Sequence, residues 1–219
     1  MSSSSFFLRI FDRRFVLANI VALASLTLLS MFPRENLIES LGLALGASIV
    51  LPFLFVRLVL KEPIFSYGYG WGYRSGLFRG GVIALATGVF LAMVWGVLLL
   101  NREWLPILPD VVRMRYGAFV LFILTSALFN MCSCLFFQGF LLSIWKRRLG
   151  WRSIPIVTSV FLAFLFAKNG FSGDMSMAIL TVWSFLASLV SFVSGSAWVA
   201  FGFLFLSDIL FTALLVFWT

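Results

Sequence analysis

The sequence predicts an all-α, polytopic transmembrane helical bundle of about seven spans, and three observations carry that expectation. Of its 219 residues, 62% are hydrophobic and only 11% are charged. A soluble domain is typically about 45–50% apolar and about 25% charged. Mean hydropathy is +1.09. The apolar residues also fall in long unbroken runs, and a helix needs roughly 20 of them to cross a bilayer. Backbone in lipid must satisfy its own hydrogen bonds, which leaves helices or closed barrels. Continuous runs lack the alternation of barrel strands.

The elements follow in order. Residues 1–14 form a polar, then basic and aromatic tail, expected in the cytoplasm or along the interface. The first apolar run is 15–31. Its end, Ser30-Met31-Phe32-Pro33-Arg34, lacks a small-residue cleavage pattern, so an uncleaved span is expected. The second run is 37–60, with a kink expected at Pro52. The third is 80–100, after a loop rich in Gly, Tyr and Arg. The fourth and longest, 118–145, is closed by Lys146, Arg147 and Arg148. The fifth, 154–167, is short; 175–193 and 197–218 complete the set. Six or eight spans also fit the pattern. No repeat or soluble segment divides the chain, which reads as one transmembrane domain over 1–219.

Net charge is +8. The basic residues lie in short loops beside apolar runs, where they report topology and not nucleic-acid binding. Alternate segments hold eleven and five Lys and Arg residues. The positive-inside rule therefore places the N-terminus in the cytoplasm. Cys132 and Cys134 lie two apart on one run and point about 200° apart on a helix, which disfavours a mutual disulfide. The chain has no histidine.

The run Ser133-Cys134-Leu135-Phe136-Phe137-Gln138-Gly139-Phe140 resembles the first motif of the CAAX-protease and bacteriocin-processing family of intramembrane proteases. That motif has two glutamates, two variable residues, then Phe-Arg-Gly. Phe137 and Gly139 agree; Ser133 and Cys134 replace the glutamates, and Gln138 the arginine. Phe164 and Lys168 take the spacing of the family's Phe and His. Gly195-Ser196-Ala197-Trp198 resembles the entry to its last motif, whose His and Asn positions hold Leu204 and Asp208. The resemblance covers 118–218 and implies a bacterial inner-membrane protein with that family's core.

What the resemblance implies about activity is mostly negative. A hydrolytic metal site needs several imidazole or carboxylate ligands and an open position, and of these positions only Asp208 carries such a group. No catalytic residue, cofactor or metal is expected. The resemblance would bring Lys168 and Asp208 together as a buried ion pair, since intramembrane charges usually face a partner. Lys168 could instead snorkel to the interface. The expected function is a structural or regulatory subunit of a membrane assembly, with lipids and other integral membrane subunits as partners. Two alternatives compete: a hydrolase using Ser133 or Cys134 with Lys168 as base, and a small carrier dependent on Asp208. The run Tyr67-Gly68-Tyr69-Gly70-Trp71-Gly72-Tyr73 lacks the context of an ion filter or nucleotide loop. It reads as an aromatic loop at the cytoplasmic interface.

Overall fold

The computed structural model describes residues 12–30, 42–71, 74–100, 116–169 and 174–218, with side chains for 12–29, 42–71, 75–90, 123–165, 180–207 and 209–210. These residues are helical almost throughout, and no strand occurs among them. We number seven helices in chain order. They are α1 (Arg13–Ser30), α2 (Gly42–Leu60), α3 (Arg74–Leu100), α4 (116–149), α5 (Ser153–Asn169), α6 (Asp174–Ser194) and α7 (Ala197–Trp218). Two helical stretches, Gly42–Leu60 and Ile123–Leu165, are long and apolar enough to cross a membrane, with mean hydropathies of 2.3 and 1.7.

The second stretch is not one rod. Gly150 takes φ +56° and ψ −129°, which breaks the helix after Leu149. In a continuous helix Phe137 and Phe161 would lie roughly 36 Å apart. Their ring centroids are 4.7 Å apart, so the chain reverses at Gly150 and α5 returns along α4.

On α1 the buried residues Phe15, Ala18, Ala22, Ser25 and Leu29 recur every three or four positions. This is the stripe by which a helix meets its neighbours, here α2 and α5. Helix α2 carries π turns at Gly46–Val50 and Phe55–Leu60, on either side of Pro52. Pro52 lacks an amide hydrogen, and wider turns are one way a helix absorbs that loss. The helix ends at Lys61, whose φ of 54° is left-handed.

Helix α4 is the central element. Its stretch Cys134–Leu141 is a π turn in which all eight residues are buried. A helix enclosed on every side is apolar all round, and α4 touches α2, α5, α6 and α7. Phe136, Phe137 and Phe140 belong to the core shared with α1, α2 and α5. Cys134 belongs to a second core with Ala187 of α6 and Ala200, Phe203 and Leu204 of α7.

Helix α3 meets α6 through glycines. A Cβ on Gly76 would stand 2.8 Å from the Ser194 carbonyl oxygen, and one on Gly80 2.6 Å from the Ser194 Cβ. The spacing of four puts both glycines on one face, and small residues so placed let helix backbones approach closely.

The exterior is apolar and the interior holds hydroxyls. Leu23, Leu58, Phe78, Leu85 and Leu206 are exposed, whereas Ser25, Thr158, Ser188, Ser191 and Ser207 are buried.

Candidate functional site

The site is built at one end of the bundle, where α2, α4 and α6 finish and α1, α3 and α7 begin. Three consecutive cations organise it. Lys146 Nζ donates to the Phe192 carbonyl at 2.8 Å and sits 4.2 Å over the Phe192 ring. The carbonyls in the last turn of α6 lack helical partners and carry the negative end of the dipole, so an ammonium is favoured there. Arg147 donates to Glu62 Oε2 at 2.7 Å and to Ser66 Oγ at 3.0 Å, and lies 4.4 Å over the Tyr67 ring. Arg148 pairs with Asp12 ahead of α1. Lysine and arginines that read as a topology signal each anchor a different segment.

The loop segment 61–71 is clamped into this end. Gly68 and Gly70 turn its carbonyls toward the start of α7. Ala197 N–H donates to the Gly68 carbonyl at 2.9 Å, Ser196 Oγ to the Gly70 carbonyl at 2.7 Å, and Trp198 Nε1 to the Tyr69 carbonyl at 3.0 Å. Ser196 also accepts the Trp198 amide at 3.3 Å, which makes it the N-cap of α7. Trp71 stacks on Trp198 with centroids 5.9 Å apart. The expectation of an aromatic interface loop therefore needs correction for half its rings. Tyr67 and Tyr69 turn inward, while Trp71 stays exposed. They are drawn in because the loop carbonyls find donors on α7.

The electrostatics follow from this packing. Burial pushes the Tyr67 phenol up to about 12, against the Arg147 charge, which pulls it down. Burial alone raises the Tyr69 phenol. Burial works to raise the Glu62 carboxyl, but the hydrogen bond and charge of Arg147 leave it below its ordinary value. Asp12 is lowered by the Arg14 backbone amide and by Arg148. Lys146, just past the apolar part of α4, is lowered by burial.

Beneath the loop lies a cavity of about 800 Å³ between α4 and α6. Gln138, Ser143 and Lys146 line it from α4, Ser191 and Phe192 from α6, and Trp71 from the loop. Ser191 Oγ donates to the Gln138 carbonyl at 2.7 Å, a bond available because the π turn frees main-chain acceptors. The Gln138 side chain is 1% exposed, and neither its Oε1 nor its Nε2 has a hydrogen-bond partner.

The positions singled out in the sequence are distributed as follows. Ser133 and Cys134 are both buried where α4 enters its π turn. No disulfide joins Cys134 to Cys132. Phe164 packs on Phe137 with centroids 5.6 Å apart, and Leu204 shares a core with Cys134. The structure thus gathers the α4, α5 and α7 positions around the π turn. Lys168 and Asp208 lie on α5 and α7, but their side chains fall outside the described residues, and so does any ion pair between them. Among the described residues no three His, Cys, Asp or Glu side chains are grouped to hold a metal ion. Sequence reasoning missed Glu62, Ser196 and Trp198 as clamps. The signal was there, since Ser before a long apolar run is an N-cap signature.

The fold defines a helical bundle with stretches able to cross a membrane. Compared with protein-family models, curated proteins and solved structures, the chain matches none.

Proposed function

We propose that this chain is a seven-span integral membrane protein, a catalytically inactive relative of the CAAX-protease family, acting as a structural or regulatory subunit of a membrane assembly. The observation that carries the reading is the packing of the motif positions. Phe137 rests on Phe161 and Phe164, and Cys134, with no exposed surface, sits beside Leu204. Apolar contacts occupy the ground where hydrolysis would need water and ionisable groups.

Seven spans are supported by the alternation of helix ends. Asp12, Glu62, Arg147 and Ser194 meet at one face, as an up-and-down path of seven crossings requires. That face holds the larger share of Lys and Arg, which favours the cytoplasmic side of a bacterial inner membrane. The apolar exterior suits both lipid and neighbouring membrane subunits.

The test is purification of tagged protein from its native membrane in mild detergent, followed by mass spectrometry. A reproducible stoichiometric partner is expected, and a protein that runs alone removes the subunit role. Serine- and thiol-directed probes should leave Ser133 and Cys134 unlabelled. Labelling lost in Ser133→Ala or Cys134→Ala would restore the hydrolase, with Lys168 as its base. Proton or solute flux in liposomes that Asp208→Asn abolishes would establish a carrier.

A further inference from the structure

The clamp does not use all the positive charge at its end of the bundle. Arg14, Arg147 and Arg148 pair with Glu62 or Asp12, and Lys146 is held at the end of α6. Arg13, Arg57, Lys61, Arg79 and Arg152 are exposed, and none has an acidic partner among the described residues. The acids with described side chains are Asp12 and Glu62, and both are already paired. The described part of this face therefore carries a positive excess that needs a partner from outside.

The end of α2 concentrates that excess beside apolar surface. Arg57 lies inside the apolar stretch Gly42–Leu60, less than a turn from its end. It faces outward among the exposed Leu54, Leu58 and Val59. A charge on such a surface is costly in lipid unless its long side chain reaches the interface. Lys61, also exposed, ends the helix four residues on. Four residues rise by about 6 Å, so both side chains can reach one phosphate. Val50, Leu54 and Leu58 are exposed at intervals of four, an apolar strip leading back along α2. Two cations with an apolar strip behind them match a phosphate that carries acyl chains. A choline headgroup would bring a further positive charge to the pair.

We infer that this end of α2 is a binding site for an anionic phospholipid, with the phosphate held by Arg57 and Lys61 and the acyl chains along Val50, Leu54 and Leu58. Basic residues at the end of a membrane helix attract anionic lipid in the adjoining leaflet. The inference rests on the proposed reading that α2 crosses a membrane with this end at its surface. It does not depend on a subunit role or on loss of catalysis.

The test reconstitutes full-length Leu58→Cys protein in phosphatidylcholine vesicles with a fluorophore on the new thiol, Cys132 and Cys134 being buried. Spin-labelled phosphatidylglycerol or spin-labelled phosphatidylcholine is added, and quenching is read. Phosphatidylglycerol should quench at a mole fraction about tenfold or more lower, the effect of two cations at an anionic surface. Arg57→Gln and Lys61→Gln should each reduce that preference about fivefold, with the melting midpoint in detergent unchanged. Arg79→Gln removes the same charge from α3, which packs on α6 and α7, and should change the preference little. Equal quenching by the two lipids, or an undiminished preference in Arg57→Gln and Lys61→Gln, would overturn the assignment. An equal loss in Arg79→Gln would replace the site with a diffuse surface charge and overturn it too. Quenching by neither lipid would mean that a second copy or another protein covers this end of α2, and the lipid assignment fails. It also fails if millimolar glycerophosphate abolishes the preference, since the ligand is then a soluble phosphoester. Release of the protein from the vesicles by alkaline carbonate would remove the membrane span and this site together. Retention with equal quenching would overturn the lipid site alone.

Discussion

A Cβ on Gly68 would stand 3.0 Å from the Cα of Gly139, so the loop after α2 and the middle of α4 meet backbone against backbone. Gly68 has a φ of +77°, a conformation in which a side chain is strained. The contact explains why a loop rich in Gly and aromatic residues packs into the bundle instead of spreading over its surface.

Gly68→Ala should therefore destabilise the protein by about 2–4 kcal/mol, combining the left-handed backbone with overpacking. Gly139→Ala should cost less, because its Cβ would meet the Ala197 Cβ at 3.3 Å and the Tyr67 carbonyl at 3.4 Å. Gly202→Ala, with nothing within 4 Å, is the control and should leave the melting midpoint unchanged or higher. Thermal unfolding in detergent measures all three. Equal midpoints for Gly68→Ala and Gly202→Ala would contradict the docked loop.

The neighbours Gly80 and Gly81 should behave oppositely. Gly80→Ala drives a methyl against Ser194 and should cost about 1–3 kcal/mol. A methyl at Gly81 meets nothing within 4 Å, so helix propensity alone should favour it by up to about 1 kcal/mol. A common response would mean that α3 does not rest on α6 through this face.

Ser196 caps α7 and holds the Gly70 carbonyl while fully buried. Ser196→Ala should lower stability by about 1–3 kcal/mol, from the lost cap and the unpaired carbonyl. Because the loop is released with it, the Trp71–Trp198 stack should loosen, and tryptophan emission should shift to the red. Ser196→Thr, which keeps the hydroxyl, should restore most of the loss.

Acid should weaken the clamped end. Asp12 and Glu62 both have folded pKa values below their ordinary 3.8 and 4.5. Their contribution is present above those ordinary values and is lost as pH falls through the folded ones. The midpoint should stay level down to about pH 5 and then drop. In the Asp12→Asn, Glu62→Gln double variant the neutral midpoint should be lower and the acid drop shallower. Arg147→Ala, which removes the Glu62 pair and the Tyr67 contact, should cost about 1–2 kcal/mol at neutral pH.

Much of the fold was legible in the sequence, because helical hydrogen bonding and runs of apolar residues are local properties of each segment. Each of the seven runs overlaps one of the seven described helices, although α3 begins at Arg74 and not at the expected 80, and the reversal between α4 and α5 comes at Gly150, next to the expected boundary. The site was less legible. Arg147 looks the same in composition whether it marks a cytoplasmic loop or grips Glu62, Ser66 and Tyr67. Gln138 reads as one substitution in a motif; its lack of partners depends on what α6 and the loop bring near it.

By itself, then, the sequence determined the helical class, the order of the described helices, and the segments that carry the positive charge. Those properties depend on hydropathy and periodicity within single segments. Only the tertiary structure decided that α4 is central, that Gly139 admits the 61–71 loop segment, and that Lys146, Arg147 and Arg148 hold three different elements. It also placed Cys134 against Leu204 and Gln138 on the cavity wall. Such relations join residues up to 136 positions apart. They arise from shape and hydrogen-bond geometry between segments, which no local pattern encodes.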